Sequence, residues 1–143
     1  MVHALEMSHS LLETDGLLID IHPTGQPPLV EVHGAGKVHL AGQLHEKGDF
    51  VEYFQADDAL TAVTGRGLFV LERKEPFSFL YHAPTIVALT DFFETEWLDA
   101  VLPEETSQRV AELLGGPGDD ADDGREIVVR EFVHISRFRK IGG

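Results

Sequence analysis

The sequence predicts a mixed α/β domain with about five strands in a single mixed sheet and three to four helices. Two observations lead to this class. Apolar residues recur at helical spacing in some segments and alternate, or form short runs, in others, and the two kinds of segment follow one another along the chain. The chain has 143 residues, enough for one hydrophobic core, so we expect a single domain over residues 1–143.

The first two elements are a helix and a strand. Apolar residues at helical spacing over 4–12 predict a short amphipathic helix, which Gly16 ends. Residues 17–21 form an apolar run between Gly16 and Pro23. Such a run is typical of a strand buried on both faces, so we expect it at the centre of the sheet.

Residues 29–44 alternate between apolar and polar side chains, which predicts two antiparallel strands with one solvated face. The turn is expected at Gly34-Ala35-Gly36, with Ala35 as the tip. His33 then lies opposite Lys37. The remaining predicted elements are helices over 49–64, 85–97 and 104–114, a strand over 68–82 in which Pro76 requires an edge, a bulge or a bend, and a final strand over 126–140.

Two segments are predicted to lack regular structure. Gly, Pro and Asp dominate residues 115–124, which predicts a mobile acidic loop. This loop does not match a calcium-binding EF-hand, because placing Gly124 at the sixth loop position leaves Ala121 and Arg130 at ligand positions. Residues 139–143 are expected to form a flexible tail.

Composition limits the partners and the location. The chain has 11 Lys and Arg against 25 Asp and Glu, a net charge of −14, which repels nucleic acid and anionic membrane surfaces. No apolar run approaches the roughly 20 residues that a membrane span needs. Cysteine is absent, which excludes disulfides and thiolate chemistry and favours a reducing compartment. We therefore expect a cytoplasmic protein.

Two groups of residues are candidates for a site. His33, His39 and His45 share one face of the predicted hairpin and form a weak zinc hypothesis, against which stands the lack of an HExxH element. Asp20 and His22 end a predicted central strand, where open α/β sheets place ligands. Tyr81 and His82 of the aromatic strand are the other residues of this predicted ligand pocket. The alternative for Asp20 and His22 is purely local hydrogen bonding.

No motif for a nucleophile, a phosphate or a dinucleotide occurs: GxSxG, GxxxxGK and GxGxxG after a strand are all missing. The sequence ALEMSHSLLETDGLLIDIHP (4–23) resembles the helix and strand that open the C-terminal half of class I S-adenosylmethionine-dependent methyltransferases. The stretches FVEYFQADDALTAVTGRGLFVLERKEPFSF (50–79) and EIVVREFVHISRF (126–138) resemble later pieces of that half.

This resemblance implies an incomplete Rossmann-like fold without the cofactor-binding half. No catalytic residue of the family can be placed on this chain, and we expect no cofactor. The first hypothesis is therefore a non-catalytic, degenerate methyltransferase-like half that acts through association. A bare sheet edge would be covered by a second copy, giving a homodimer, or by a partner subunit. The alternative is a small-molecule-binding protein, or an enzyme of unknown reaction, with its pocket near Asp20 and His22.

Overall fold

A computed structural model describes residues 1–48, 51–115 and 124–142. These residues contain four helices and seven strands, which confirms the predicted α/β class and its sheet of about five strands. In chain order the elements are α1 (Val2–Leu11), β1 (Leu17–Pro23), β2 (Leu29–Gly34), β3 (Lys37–Gln43), β4 (His45–Glu46), α2 (Val51–Gly65), β5 (Phe69–Ala83), α3 (Ile86–Thr95), β6 (Ala100–Val101), α4 (Glu104–Leu113) and β7 (Glu126–Lys140).

The long strand β7 is the centre of the main sheet, because it pairs with β1, β2 and β5. Strand β3 extends the sheet beyond β2, and β4 pairs with β6 in a separate two-stranded sheet. The pairs β1–β7, β2–β7 and β2–β3 are antiparallel. Within the described chain β1 pairs with β7 alone, so the prediction that residues 17–21 form the central strand is wrong. A short apolar run indicates burial but does not identify the partner strands.

Contacts divide the described chain into two compact units. The first unit comprises described residues within 1–25, 50–77 and 132–143, and the second those within 26–49 and 78–131. Strands β5 and β7 contribute residues to both. Each unit has its own apolar core. Such a core stabilises the unit, because burying one leucine or phenylalanine side chain contributes about 1.5–3 kcal/mol to folding.

The core of the first unit is small. Leu60, Val63, Phe69 and Phe138 are buried in it, and Leu18 packs against them. The core of the second unit is larger and combines the inward residues of β2 and β7 with one side of α3 and α4; it includes Val30, Val32, Leu89, Phe93, Val110, Ile127 and Val129. The apolar spacing of residues 86–97 predicted this side of α3, since Leu89 and Phe93 lie one turn apart.

The β2–β3 turn differs from the prediction. Ala35 and Gly36 both have positive φ, 49° and 72°, as in a two-residue hairpin loop of type I′. His33 therefore pairs with Val38, not Lys37, and His39 pairs with Val32. Moving the turn by one residue sends residues 38–40 to the other face, up to the register shift between Val30 and Glu31. As a result Val38 is exposed instead of buried.

The C-terminal boundary also differs from the predicted tail over 139–143. Arg139 and Lys140 belong to β7, and the Lys140 amide donates to the carbonyl of Gly16 at 2.8 Å. The Ile141 amide donates to the carbonyl of Leu68 at 2.9 Å. Backbone pairing with distant segments thus extends the ordered strand. Most of the predicted acidic loop, residues 116–123, lies outside the described residues. None of the described helices has both the length and the apolar character needed to cross a membrane.

Candidate functional site

Polar side chains line the inner face of β1 and the part of β7 that pairs with it. Asp20 lies opposite Ser136, and His22 lies opposite His134. Directly opposed residues in an antiparallel pair point to the same face, as do residues two apart on one strand. These four side chains therefore form one group on the face of β1 that packs against α2, and we call them the polar row: Asp20, His22, His134 and Ser136.

The outer face of β1 carries the apolar residues instead. Leu17, Ile19 and Ile21 are 45%, 52% and 60% exposed, while His22 is 8% exposed. The expectation that residues 17–21 are buried on both faces is therefore wrong. Adjacent residues of a strand alternate between its two faces. Leu17, Ile19 and Ile21 therefore face outward, and Asp20 and His22 face the interior of the first unit.

His22 lies between two carboxylates. Its Nδ1 is 2.7 Å from Oδ2 of Asp20. Since an ionised carboxylate can only accept a hydrogen bond, Nδ1 carries a proton and donates it. The Nε2 atom lies 3.4 Å from Oδ1 of Asp57 but makes no hydrogen bond within the described chain. In the neutral ring Nε2 is a buried acceptor, fixed in orientation by Asp20.

Asp57, on α2, links the polar row to a cavity. Its Oδ1 is also 3.3 Å from Nζ of Lys74 on β5, and both side chains are partly exposed. A cavity of about 500 Å³ opens beside this pair, within the size range of small-molecule sites. Asp57, Lys74 and Ser136 give its walls charged and hydroxyl groups, and the apolar lining comes from Leu60, Phe69, Val70, Leu71, Phe138 and Ile141.

His134 provides a second imidazole, which is half-buried. Its Nδ1 has no hydrogen-bond partner in the described structure. Burial, and next the positive charge of Lys74, lower the pKa of His134 below its usual value, although Asp57 and Asp20 oppose the shift. The ring is therefore neutral at physiological pH, and it adds a polar atom to the buried face without adding charge.

This arrangement suits binding and proton exchange more than covalent chemistry. An imidazole that donates to a carboxylate through Nδ1 keeps Nε2 available as an acceptor, as in acid–base sites. The nearby Asp57–Lys74 pair offers one charge of each sign at the cavity wall. These groups are able to hold the polar end of a small molecule whose apolar part contacts Leu60 and Phe138.

The structure brings together one of the two predicted residue pairs. Asp20 and His22 form a hydrogen bond with each other in the first unit. Tyr81 and His82 belong to the second unit and do not share a site even there. Tyr81 stacks on Phe92 with ring centroids 3.8 Å apart, and Nδ1 of His82 lies 3.0 Å from Oε1 of Glu126.

The histidines of the metal hypothesis do not converge. His33 and His39 point to opposite faces of the hairpin, because His39 pairs with Val32, the neighbour of His33 on β2. His45 lies on β4 opposite Val101. In the part of the chain that is described, no three His, Cys, Asp or Glu side chains are grouped so as to hold a metal ion.

His33 instead belongs to an ion-paired cluster. Its Nε2 is 2.7 Å from Oε2 of the buried Glu31, and Nε of Arg130 donates to Oε1 of Glu31 at 3.0 Å. Burial is the largest single influence on Glu31 and favours the neutral form. The hydrogen bonds and positive charges of Arg130 and His33 together outweigh it and lower the pKa of Glu31. This cluster is fully partnered, which is typical of a structural role.

The sequence analysis missed four residues of the site: Asp57, Lys74, His134 and Ser136. The signal for two of them was present, because His134 and Ser136 alternate with Val133 and Ile135 in the last strand. Asp57 lies in an acidic helix and Lys74 in a charged strand. Nothing in the local sequence distinguishes them from exposed neighbours such as Asp58 and Glu75.

Comparison with protein-family models, with curated proteins and with solved structures gives no match for this chain. The resemblance to the C-terminal half of class I methyltransferases stays a prediction.

Proposed function

We propose that the first unit binds a small molecule in the cavity bounded by Asp57, Lys74 and Ser136. One observation carries this proposal: the carboxylate of Asp57 lines the cavity while lying 3.3 Å from Lys74 and 3.4 Å from His22. A carboxylate held by an ion pair with a lysine is positioned before any ligand arrives, which reduces the entropy lost on binding.

The ligand is expected to combine an apolar body with a hydrogen-bonding end. Apolar side chains such as Leu60, Phe69 and Phe138 supply the first contact. Asp57 and Lys74 supply an acceptor and a donor for the second. His22 lies behind Asp57 and does not itself line the cavity. We assign binding to this site and no reaction.

A thermal-shift screen with a panel of metabolites tests the proposal, because a ligand that binds only the folded state raises the melting temperature. Asp57→Asn is expected to abolish the shift that an active compound produces. The matched control is Asp58→Asn, which removes the same charge from the exposed neighbouring position of α2. The proposal fails if no compound stabilises the protein, or if both variants respond like the original chain.

We also propose that the chain associates with a second copy through the outer face of β1. This face carries exposed Leu17, Ile19 and Ile21, and Ile135 of β7 lies opposite Ile21. The other β7 residues opposite it are Arg137 and Arg139, and both form ion pairs with Glu72 of β5, which offsets their positive charge at the contact. Strand β1 also has a free edge among the described pairings, and antiparallel pairing of that edge with itself gives a two-fold dimer.

Association would make the methyltransferase-like half a non-catalytic interaction domain, as the sequence resemblance implies. A missing neighbour of the sheet would then be replaced by the second copy. Light scattering on the purified protein distinguishes a dimer from a monomer, and the substitutions that test the contact are given in the Discussion.

A further inference from the structure

The second unit contains a smaller cavity with an unusual lining. It has a volume of about 260 Å³, and four aromatic side chains contribute to its wall: Phe79, Tyr81, Phe92 and Trp97. Two carboxyl groups also line it, those of Glu96 and Glu131. No lysine or arginine from the described residues contributes to the lining. The cavity therefore combines aromatic ring surface with negative charge.

Three elements of the second unit bring these side chains together. Phe79 and Tyr81 are two apart on β5 and share a face, as do Val129 and Glu131 on β7. Phe92 and Glu96 are four apart at the end of α3, which places them on one side of the helix. The cavity thus lies between two strands and the C-terminal end of a helix.

Three of the four rings, those of Tyr81, Phe92 and Trp97, are held by packing against other rings. Tyr81 and Phe92 stack at a centroid distance of 3.8 Å with an angle of 14° between their planes. Trp97 packs edge-on against the buried Phe93 at 5.9 Å, and Phe93 contacts Phe92 at 6.1 Å. Aromatic side chains with fixed orientations lose little conformational entropy when a ligand enters.

The charges decide which ligand fits. An anion would be repelled by Glu96 and Glu131, and a neutral apolar molecule would cover Glu131 without giving its carboxylate a partner, which is costly. A cation is attracted by both carboxylates and by the negative faces of the rings. Quaternary ammonium groups are the ligands for which aromatic enclosures are best suited, because their charge is spread over methyl groups that contact the rings.

We propose that this cavity binds a small organic cation with a quaternary ammonium group, which contacts the rings of its wall and is neutralised by Glu96 and Glu131. The cavity is smaller than the 300–1,000 Å³ of drug-sized sites, which suits a compact head such as that of choline. This site is separate from the cavity of Asp57 and does not depend on it, since the two are lined by different residues.

Trp97 provides a direct readout because it is the one tryptophan in the sequence. We expect titration with choline chloride to change its fluorescence in a saturable way, with potassium chloride as the control for ionic strength. The uncharged isostere of choline, in which a tert-butyl group replaces the trimethylammonium group, is expected to bind at least about tenfold more weakly. An equal response to both compounds would overturn the proposal, since charge would then play no part.

Two pairs of variants locate the site. Phe79→Leu is expected to weaken choline binding about fivefold through loss of one cation–π contact. Phe77→Leu is its control, because both phenylalanines are exposed on β5 and Phe77 does not line the cavity. Glu96→Gln is expected to weaken binding and the exposed Glu94→Gln is not. Circular dichroism of each variant confirms that it is folded.

The remaining outcomes also decide the question. Unchanged affinity in both Phe79→Leu and Glu96→Gln places the cation elsewhere and refutes the assignment. If neither Trp97 fluorescence nor calorimetry detects binding up to about 10 mM choline, the cavity is not a quaternary ammonium site of useful affinity.

Discussion

His22 and His134 lie directly opposite each other in the antiparallel pair of β1 and β7, on the face that packs against α2. Each ring has one buried nitrogen without a hydrogen-bond partner in the described structure. A positive charge on His22 is among the influences that lower the pKa of His134, after burial and Lys74. The pair therefore links the stability of the first unit to pH.

The first prediction concerns His134. Its pKa is lowered in the folded state, so the unfolded chain binds the proton more tightly, and the stability that the neutral ring contributes is lost as pH falls through the lowered pKa. The groups that face it are His22, Asp20, Asp57 and Lys74. We expect His134→Gln to flatten the decline in unfolding free energy as pH falls below about 6.5, measured by urea denaturation.

The control for this change is His39→Gln, which replaces an exposed histidine of β3. It should leave the pH dependence as it is in the original chain. Parallel pH profiles for the original protein and His134→Gln would contradict the expected linkage.

The second prediction concerns the cluster of Glu31, His33 and Arg130. Arg130→Leu leaves the buried Glu31 carboxylate without its main partner, and we expect a loss of about 3 kcal/mol in the free energy of unfolding. The double variant Glu31→Leu, Arg130→Leu should recover most of this loss, because no charge then remains buried.

Arg109→Leu is the matched control for Arg130. Arg109 forms an exposed pair with Glu112 on α4, and such a pair contributes no more than about 0.5 kcal/mol. Chemical denaturation measures all three variants. If the double variant is no more stable than Arg130→Leu alone, the cost does not arise from an uncompensated charge.

The third prediction concerns the outer face of β1. Ile19→Asp places a charge at the middle of the apolar strip and is expected to convert a dimer to a monomer, as measured by light scattering. Val38→Asp introduces the same charge at an equally exposed aliphatic position of β3 and should leave the dimer intact. A protein that is monomeric before substitution, or dissociation by both substitutions, would exclude β1 as the contact.

The fourth prediction concerns Glu131. Burial, and next the charge of Glu46, raise the pKa of Glu131, and Glu96 is a further carboxylate at the same cavity. A carboxyl group with a raised folded-state pKa favours folding at low pH, and this contribution disappears as pH rises through that pKa. We therefore expect Glu131→Gln to raise the melting temperature at pH 7 and to have little effect below about pH 4.

The proposed cation site predicts a second effect of Glu131→Gln, which opposes the first when choline is present. Glu131→Gln should be more stable than the original chain without choline but should gain less stability when choline is added. A lower melting temperature for Glu131→Gln at neutral pH would show that the carboxylate has a favourable partner in the folded protein.

Sequence patterns predicted most of the secondary structure because each element depends on local information. The helical spacing of residues 86–97 and the alternation within 126–140 are consequences of backbone period, and α3 and β7 lie where these patterns place them. Asp20 and His22 were identified as candidates for the same reason, since their place at the end of a strand is visible in the sequence.

The tertiary structure alone decided the face of β1 that is buried, the centre of the sheet and the membership of each cavity. Pairing with β7 set the orientation of β1, so that Asp20 and His22 face α2 while Leu17, Ile19 and Ile21 face outward. Asp57 and Lys74 approach the row from distant parts of the chain, and Glu131 joins rings from two other elements. Such contacts depend on which strands pair and in which register, and those are set by long-range packing that no local period encodes.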